Sequence, residues 1–259
     1  MADGAPEAQR HVATGKAVGD ADGIEGSVHL PYAIDAIRVA HSLAGCNVPL
    51  GFWRSVGHSF SGFITESFID ELADAVKVDP GVFRLALLKD KPRHAAVLRA
   101  ALKAGGPLGL VAPGTGRGVA LVESFGSIVA QVAEVEIADS RPPRVTRVWA
   151  AIDCGRTINP DSVRAQVEGG IIYGLTAALH GKVTFAGGAA QQTNFDSYPL
   201  LSLAQSPAIE VIIIASTENP GGVGEPGTPP IAPAVANAIF AASGDRRRNL
   251  PLGQRLVRG

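Results

Sequence analysis

Three short stretches hold the residues best suited to chemistry. In "GGVGEPG" one carboxylate, Glu225, stands between Gly224 and Pro226, with Gly221 and Gly222 just before it. Glycines let a backbone approach a ligand closely and present its amide donors, while a proline restricts the residue before it. Such a glutamate is either an ordinary solvated loop acid or a base held at the mouth of a pocket, and the turn alone does not choose between them. The uncharged run "PPIAPAVANAIFAAS" follows, predicting a helix that starts near Pro229 or Pro230 with its N-terminal end facing any bound anion. In "AQVEGGIIYGL", Gln166 offers both donor and acceptor atoms; Gly169, Gly170 and Gly174 leave a helix face bare, for close helix packing or for a planar ligand. In "GFWRSVGHSF", Arg54 follows Phe52 and Trp53 in a loop leading into a helix, where an arginine serves a ligand or pairs with a neighbouring acid.

Several familiar chemistries lack their residues. "PGTGRG" begins like a phosphate loop but has no G-K-[ST], whose lysine and hydroxyl hold phosphate and metal. "GGVGEPG" does not have the G-x-G-x-x-G spacing of a dinucleotide fingerprint. Ser55, His58 and Ser59 lie together, yet no G-x-S-x-G elbow is present, and His58 reads as a loop or satisfied core histidine. Two cysteines, Cys46 and Cys154, make neither a disulfide framework nor a zinc or iron–sulfur motif, and both read as buried or incidental thiols.

The elements that must position the three stretches follow from pattern. With 259 residues, 23 Lys+Arg against 24 Asp+Glu, the chain can bury a sizeable core and has no general attraction for nucleic acid. The basic cluster Arg246, Arg247 and Arg248 reads as a solvated helix end. No apolar run approaches a membrane span, and no signal-peptide centre opens the chain, so the expectation is a cytoplasmic protein, with periplasmic export on a folded partner as the alternative. Residues 1–22 have no sustained apolar period and are expected to form a flexible or partner-dependent arm. Residues 23–108 read as a strand, "AIRVAHSL", then a helix over "SGFITESFIDELADAV" and two short helices, the first capped by Asp79 with Pro80 at its first position. A glycine-rich joint, "GGPLGLVAPGTGRG", leads into a strand-rich region, residues 109–259. There "GVALVESFG", "SIVAQVAEVEIA", "PRVTRVWAAIDCG" and "AIEVIIIAS" are predicted strands; "NPDSVRAQVEGGIIYGLTAALHG" is a helix capped by Asn159 or Asp161. Mixed strands with interleaved helices in uneven blocks predict an α+β fold.

Taken in order, the three stretches and the runs "LPYAI", "ESFIDELA", "GRGVALVESFGS" and "QQTNFDSYPLL" resemble the molybdenum hydroxylase family, the xanthine dehydrogenase and aldehyde oxidoreductase group. The likeness is to the C-terminal part of its molybdopterin-binding large subunit, of the isoquinoline 1-oxidoreductase β-subunit type, and runs from about Asp22 to Leu252. It implies a molybdopterin-binding domain of aldehyde oxidase/xanthine dehydrogenase type. It implies Glu225 as general base, taking a proton from a metal-bound hydroxyl whose water-derived oxygen attacks the substrate while hydride passes to a sulfido ligand. Trp53 and Arg54 match the loop beside molybdenum, with Arg54 near the metal through its backbone and no side chain as ligand. Gln166 and Gly169 match the pterin-binding helix, and Gly222 and Gly224 the glycine loop. The implied cofactor is the molybdenum–molybdopterin cytosine dinucleotide, shared with a partner chain. Implied partners are an N-terminal molybdopterin-binding chain or segment, a small subunit carrying [2Fe-2S] clusters, a cytochrome or flavin electron acceptor and a small-molecule substrate, an aromatic N-heterocycle or an aldehyde. A non-catalytic assembly subunit of such a complex is the alternative. Ser55 and His58 stand where many relatives outside this branch have glycines, which separates the substrate range from theirs.

Overall fold

A computed structural model describes residues 8–15, 23–43, 48, 51–138 and 141–253. Cys46 lies outside the described residues, as do 1–7 and 16–22. The frame is a five-stranded mixed sheet in the order β3-β4-β5-β6-β9. Its centre is a meander of β4 (Thr115–Ser124), β5 (Ser127–Glu136) and β6 (Arg144–Asp153), three long runs rich in β-branched residues. Ser124 pairs with Ser127 across a two-residue turn. Phe125 and Gly126 both have positive φ there, 52° and 75°, as a tight hairpin turn of the primed type demands. The glycine-rich joint is itself structured: β3 (Gly109–Ala112) folds back on β4, and Gly114 supplies the positive φ of the bend. On the other edge β9 (Ala208–Ile213) runs parallel to β6, after a crossover through the 21-residue helix α4 (Pro160–His180). Of the two candidate caps, Asn159 holds that helix, its side-chain oxygen accepting from the amides of Asp161 and Ser162.

Alternation along the central strands builds two cores. Val119, Leu121, Ala130, Val132, Trp149 and Ala151 face one side, against α1 (Gly57–Ala75), α2 (Pro80–Leu87) and α3 (Pro92–Gly105). Ala120, Val129, Ala133, Val148, Ala150 and Ile152 face the other, against α4 and α5 (Ile231–Ser243). The boundary drawn at residue 108 from composition thus falls between α3 and the sheet on which α3 packs. Helix α5 approaches β4 where β4 has no side chains: a Cβ on Gly118 would come within 2.2 Å of the Ala238 nitrogen, and one on Gly116 within 2.5 Å of the Ala238 oxygen.

The helical layer is fastened by buried charge. Arg84, fully buried, donates through Nε to Glu66 Oε2 at 2.9 Å and through Nη2 to the Glu66 carbonyl at 2.7 Å, and lies 3.5 Å from Asp70. Tyr32 donates to the other Glu66 oxygen at 2.6 Å, and the Leu121 amide to Oε2 at 2.9 Å. Burial alone would depress the Arg84 guanidinium, but Glu66, with Tyr32 and Asp70, outweighs it and holds the arginine protonated. The C-terminal basic cluster belongs to this layer: Arg246 donates to Asp70 at 2.7 Å, Arg247 to Asp245 at 2.5 Å and Arg248 to Glu71 at 2.8 Å. Those cations are committed to carboxylates of α1 and of their own turn.

Outside the main sheet, β1 (Ala8–Gly15) runs parallel to β2 (Ala36–Leu43), the predicted strand "AIRVAHSL". Part of the stretch expected to be an arm is therefore a strand, since ladder hydrogen bonds form between backbones and need no apolar period. Between α4 and β9 a short hairpin, β7 (Phe185–Ala186) and β8 (Ala189–Ala190), turns on Gly187 and Gly188.

Candidate active site

Missing side chains bring α4 against the loop that precedes α5. A Cβ on Gly170 would stand 3.2 Å from the Gly227 backbone, one on Gly174 2.9 Å from the Thr228 oxygen, and one on Gly227 2.8 Å from the Val167 oxygen. Gly170 and Gly174 are thus used for close packing. Gly169 is exposed, and the nearest atom to a Cβ there would be Arg54 Nη1 at 3.9 Å. The loop is pinned from the sheet as well. The Gly221 amide donates to the Cys154 carbonyl at 2.9 Å and the Gly222 amide to the Phe125 carbonyl at 2.7 Å. The wholly buried Gln131, in the middle of β5, donates to the Gly227 carbonyl at 2.7 Å. Gly222 is therefore placed at the β4–β5 turn, apart from the other predicted residues.

Arg54 joins the other two stretches. Its Nε donates to the Gly224 carbonyl at 2.7 Å, and Nη2 donates to the same carbonyl. Nη2 also reaches the Gln166 carbonyl at 3.2 Å and Gln166 Oε1 at 3.3 Å. Its contacts to the other two stretches run through the guanidinium. The next residue supplies the main-chain contact: the Ser55 amide donates to Glu225 Oε1 at 2.9 Å. Ser55 and Val56 both have positive φ, 73° and 46°, which is costly for residues with a Cβ, and a β-branched one above all. That conformation turns the Ser55 amide toward the carboxylate and lets α1 begin at Gly57. Segments 112 and 170 residues apart in the chain are so joined around Glu225.

Two contributors carry no sequence signal. Ser55 has no G-x-S-x-G elbow around it to mark a nucleophile, and its backbone N–H is the atom in use. Tyr173, one turn along α4 from Gly169, stacks on Trp53 with ring centroids 4.8 Å apart and lies 5.7 Å beneath the Arg54 guanidinium carbon. Only the folded loop brings it to Trp53. His58 faces Glu25 at 3.5 Å, and its Nδ1 is buried without a partner. Burial lowers its pKa despite the opposing fields of Glu25, Glu225 and Glu123, so the ring is neutral at pH 7.

Several polar groups at the site have no protein partner among the described residues: the amides of Val223, Gly224 and Glu225, the Gln166 amide nitrogen and Glu225 Oε2. The bare Cα of Gly169 leaves room beside Arg54 and Gln166. Among the described residues no group of three His, Cys, Asp or Glu side chains is placed to hold a metal. A cavity of about 410 Å³, mainly apolar, opens between the starts of α1 and α5 and the end of α4, lined by Phe52, Trp53, Phe60, Ala177, Pro229 and Leu250. Glu225 is not among its lining residues.

This geometry predicts a specific loss. Lysine carries one ammonium where Arg54 has a fork, and cannot hold the Gly224 carbonyl and Gln166 together. Arg54→Lys is expected to leave the fold intact but to raise amide hydrogen exchange in residues 220–227 several-fold, read by mass spectrometry; unchanged exchange there would show that the fork does not hold the loop.

Residues 70–207 match the family described as the molybdopterin cofactor-binding domain. Over 230 residues the chain is 36% identical to the isoquinoline 1-oxidoreductase subunit beta of Brevundimonas diminuta, which covers 85% of this chain and 28% of that protein. Over 251 residues it is 32% identical to the membrane-bound aldehyde dehydrogenase [pyrroloquinoline-quinone] of Gluconacetobacter polyoxogenes, covering 85% of this chain and 32% of that one. The chain therefore spans about a third, or less, of the length of these relatives. The solved quinoline 2-oxidoreductase of Pseudomonas putida 86 superposes with a TM-score of 0.77 at 13% identity, over 93% of this chain and 58% of that one, which establishes a shared fold. From the family model, which matches more than half of its length, the chain belongs to the molybdopterin cofactor-binding domain family.

Proposed function

We propose that the chain is the catalytic C-terminal portion of a molybdenum hydroxylase that hydroxylates an aromatic N-heterocycle with oxygen from water, or oxidises an aldehyde. The observation that carries this reading is the convergence of Arg54, Gln166 and Gly224 around a carboxylate with one free oxygen. The residues fit a pterin dinucleotide. The Gln166 amide nitrogen is a free donor for the pterin edge, and the Val223, Gly224 and Glu225 amides are further free donors for polar groups of the cofactor. When bound, the molybdenum group accepts the electron pair and makes the oxygen nucleophile easier to deprotonate.

This chain's part is proton transfer and positioning. The Ser55 amide holds Oε1 of Glu225, so Oε2 is the oxygen that receives the proton. Arg54 holds the loop carbonyl next to it and keeps the carboxylate in place. Electrons leave through [2Fe-2S] clusters on a separate subunit, toward a cytochrome or flavin. An N-terminal molybdopterin-binding chain or segment completes the cofactor cradle.

The test is the composition of the purified complex. We expect about one molybdenum per copy of this chain, a pterin, and cytidine nucleotide released on hydrolysis. A complex with a quinone and no molybdenum, or with neither group, overturns the proposal, and the latter would favour a non-catalytic assembly subunit.

A further inference from the structure

Helix α1 is apolar on both sides. Its inner face carries Phe63 and Ile69 into the two cores. Its outer face carries Phe60, Ile64 and Phe68 at four-residue intervals, 43%, 47% and 41% exposed. Residues so spaced line up along one side of a helix, as a ridge that fits the groove of another element. The ridge does not end with the helix: Phe60 lines the 410 Å³ cavity together with Phe52, 72% exposed, and Trp53. One continuous apolar band therefore runs from the Trp53 loop of the candidate site along α1. Monomeric proteins rarely leave such a band in water.

We infer that this band is the seat of the remaining portion of the molybdopterin-binding subunit, the part that corresponds to the relatives' length outside residues 1–259. The inference rests on the proposed function for the partner's identity. Three observations choose this occupant. The chain accounts for 28% and 32% of two relatives' lengths and 58% of the solved one, so a large mass of the same subunit is left to be placed. Next, the band adjoins the site through Trp53, which lines the cavity and packs on Tyr173, the ring beneath Arg54. Finally, the ridge itself bears no charge; the acids Glu66, Asp70 and Glu71 are bound to Arg84, Arg246 and Arg248. An uncharged face belongs to a permanent interface, whereas transient electron-transfer contacts are small and polar.

A photo-crosslinking residue, p-benzoylphenylalanine, in place of Ile64 or Phe68 in the assembled complex tests this. Crosslinked peptides are expected to come from the molybdopterin-binding portion outside residues 1–259. Crosslinks to a second copy of this chain, to its own residues 1–22 or 44–50, or to the [2Fe-2S] subunit overturn the inference, as does the absence of any crosslink. Molybdenum content, measured on the same sample, reports on the proposed function separately. The double variant Ile64→Glu/Phe68→Glu is expected to lower recovery of the assembled complex more than tenfold. Its own circular dichroism should match the parent chain; full recovery of the complex with these glutamates would also refute the placement.

Discussion

Glu225→Gln in the molybdenum-loaded complex is expected to lower kcat by about 10²- to 10⁴-fold, the range in which a positioned general base contributes. Glutamine keeps the shape of the side chain, and its Oε1 can still accept from the Ser55 amide, so the loop should stay where Arg54 and Gln131 hold it. What is lost is the second oxygen's ability to take a proton. Molybdenum content and substrate KM should therefore change little while kcat falls. Glu225→Ala would remove the contact to Ser55 as well and leave that amide, with its positive-φ backbone, without its acceptor. Its effect mixes proton transfer with loop placement, which makes the glutamine variant the cleaner measurement. A loaded complex in which Glu225→Gln turns over at the parental rate would remove the carboxylate from the chemistry.

The largest stability effect is expected far from that loop. Arg84→Leu strands the Glu66 carboxylate and weakens the surroundings of Asp70 in a fully buried layer. Breaking a buried pair by deleting one partner costs about 3–5 kcal/mol, a large part of the marginal stability of a folded domain. The fall should appear as a lower urea midpoint. Adding Glu66→Gln to Arg84→Leu should recover part of the loss, because the stranded charge is then gone, although Tyr32 and the Leu121 amide still need an acceptor. A change below about 1 kcal/mol for Arg84→Leu would mean that water or rearrangement reaches the charges.

Why the strands and most helices are legible in the sequence, while the joins between them are less so, has a physical reason. Asp79 with Pro80, and Asn159 with Pro160, mark helix starts by local chemistry that needs no distant partner. The β4–β6 meander is readable because both of its faces are buried and the strands are nearly continuous apolar runs. By contrast, the glycine-rich joint conceals β3, whose pairing depends on where β4 lies. At the site, the glycines near Gln166 left packing and ligand binding open, and only the distances separate Gly170 and Gly174, which pack, from Gly169, which does not. The role of Ser55 lies in its backbone, which side-chain chemistry does not advertise. The isoelectric balance likewise hides that Arg246 and Arg248 are spent on α1.

The absence of side chains at Gly116 and Gly118 reaches further than packing. Backbone rests directly on backbone there, so α5 bears on the sheet at Ala238 as a shaft bears on its seat. Ile231, where the helix begins, lies roughly 10 Å along the axis from that bearing at 1.5 Å per residue, and the short run from Glu225 leads straight into it. A single methyl inserted at the bearing would lift the shaft from its seat and load the Gln131 and Arg54 bonds that hold the Glu225 loop. The aim of Glu225 is thus adjusted by two positions that never touch it.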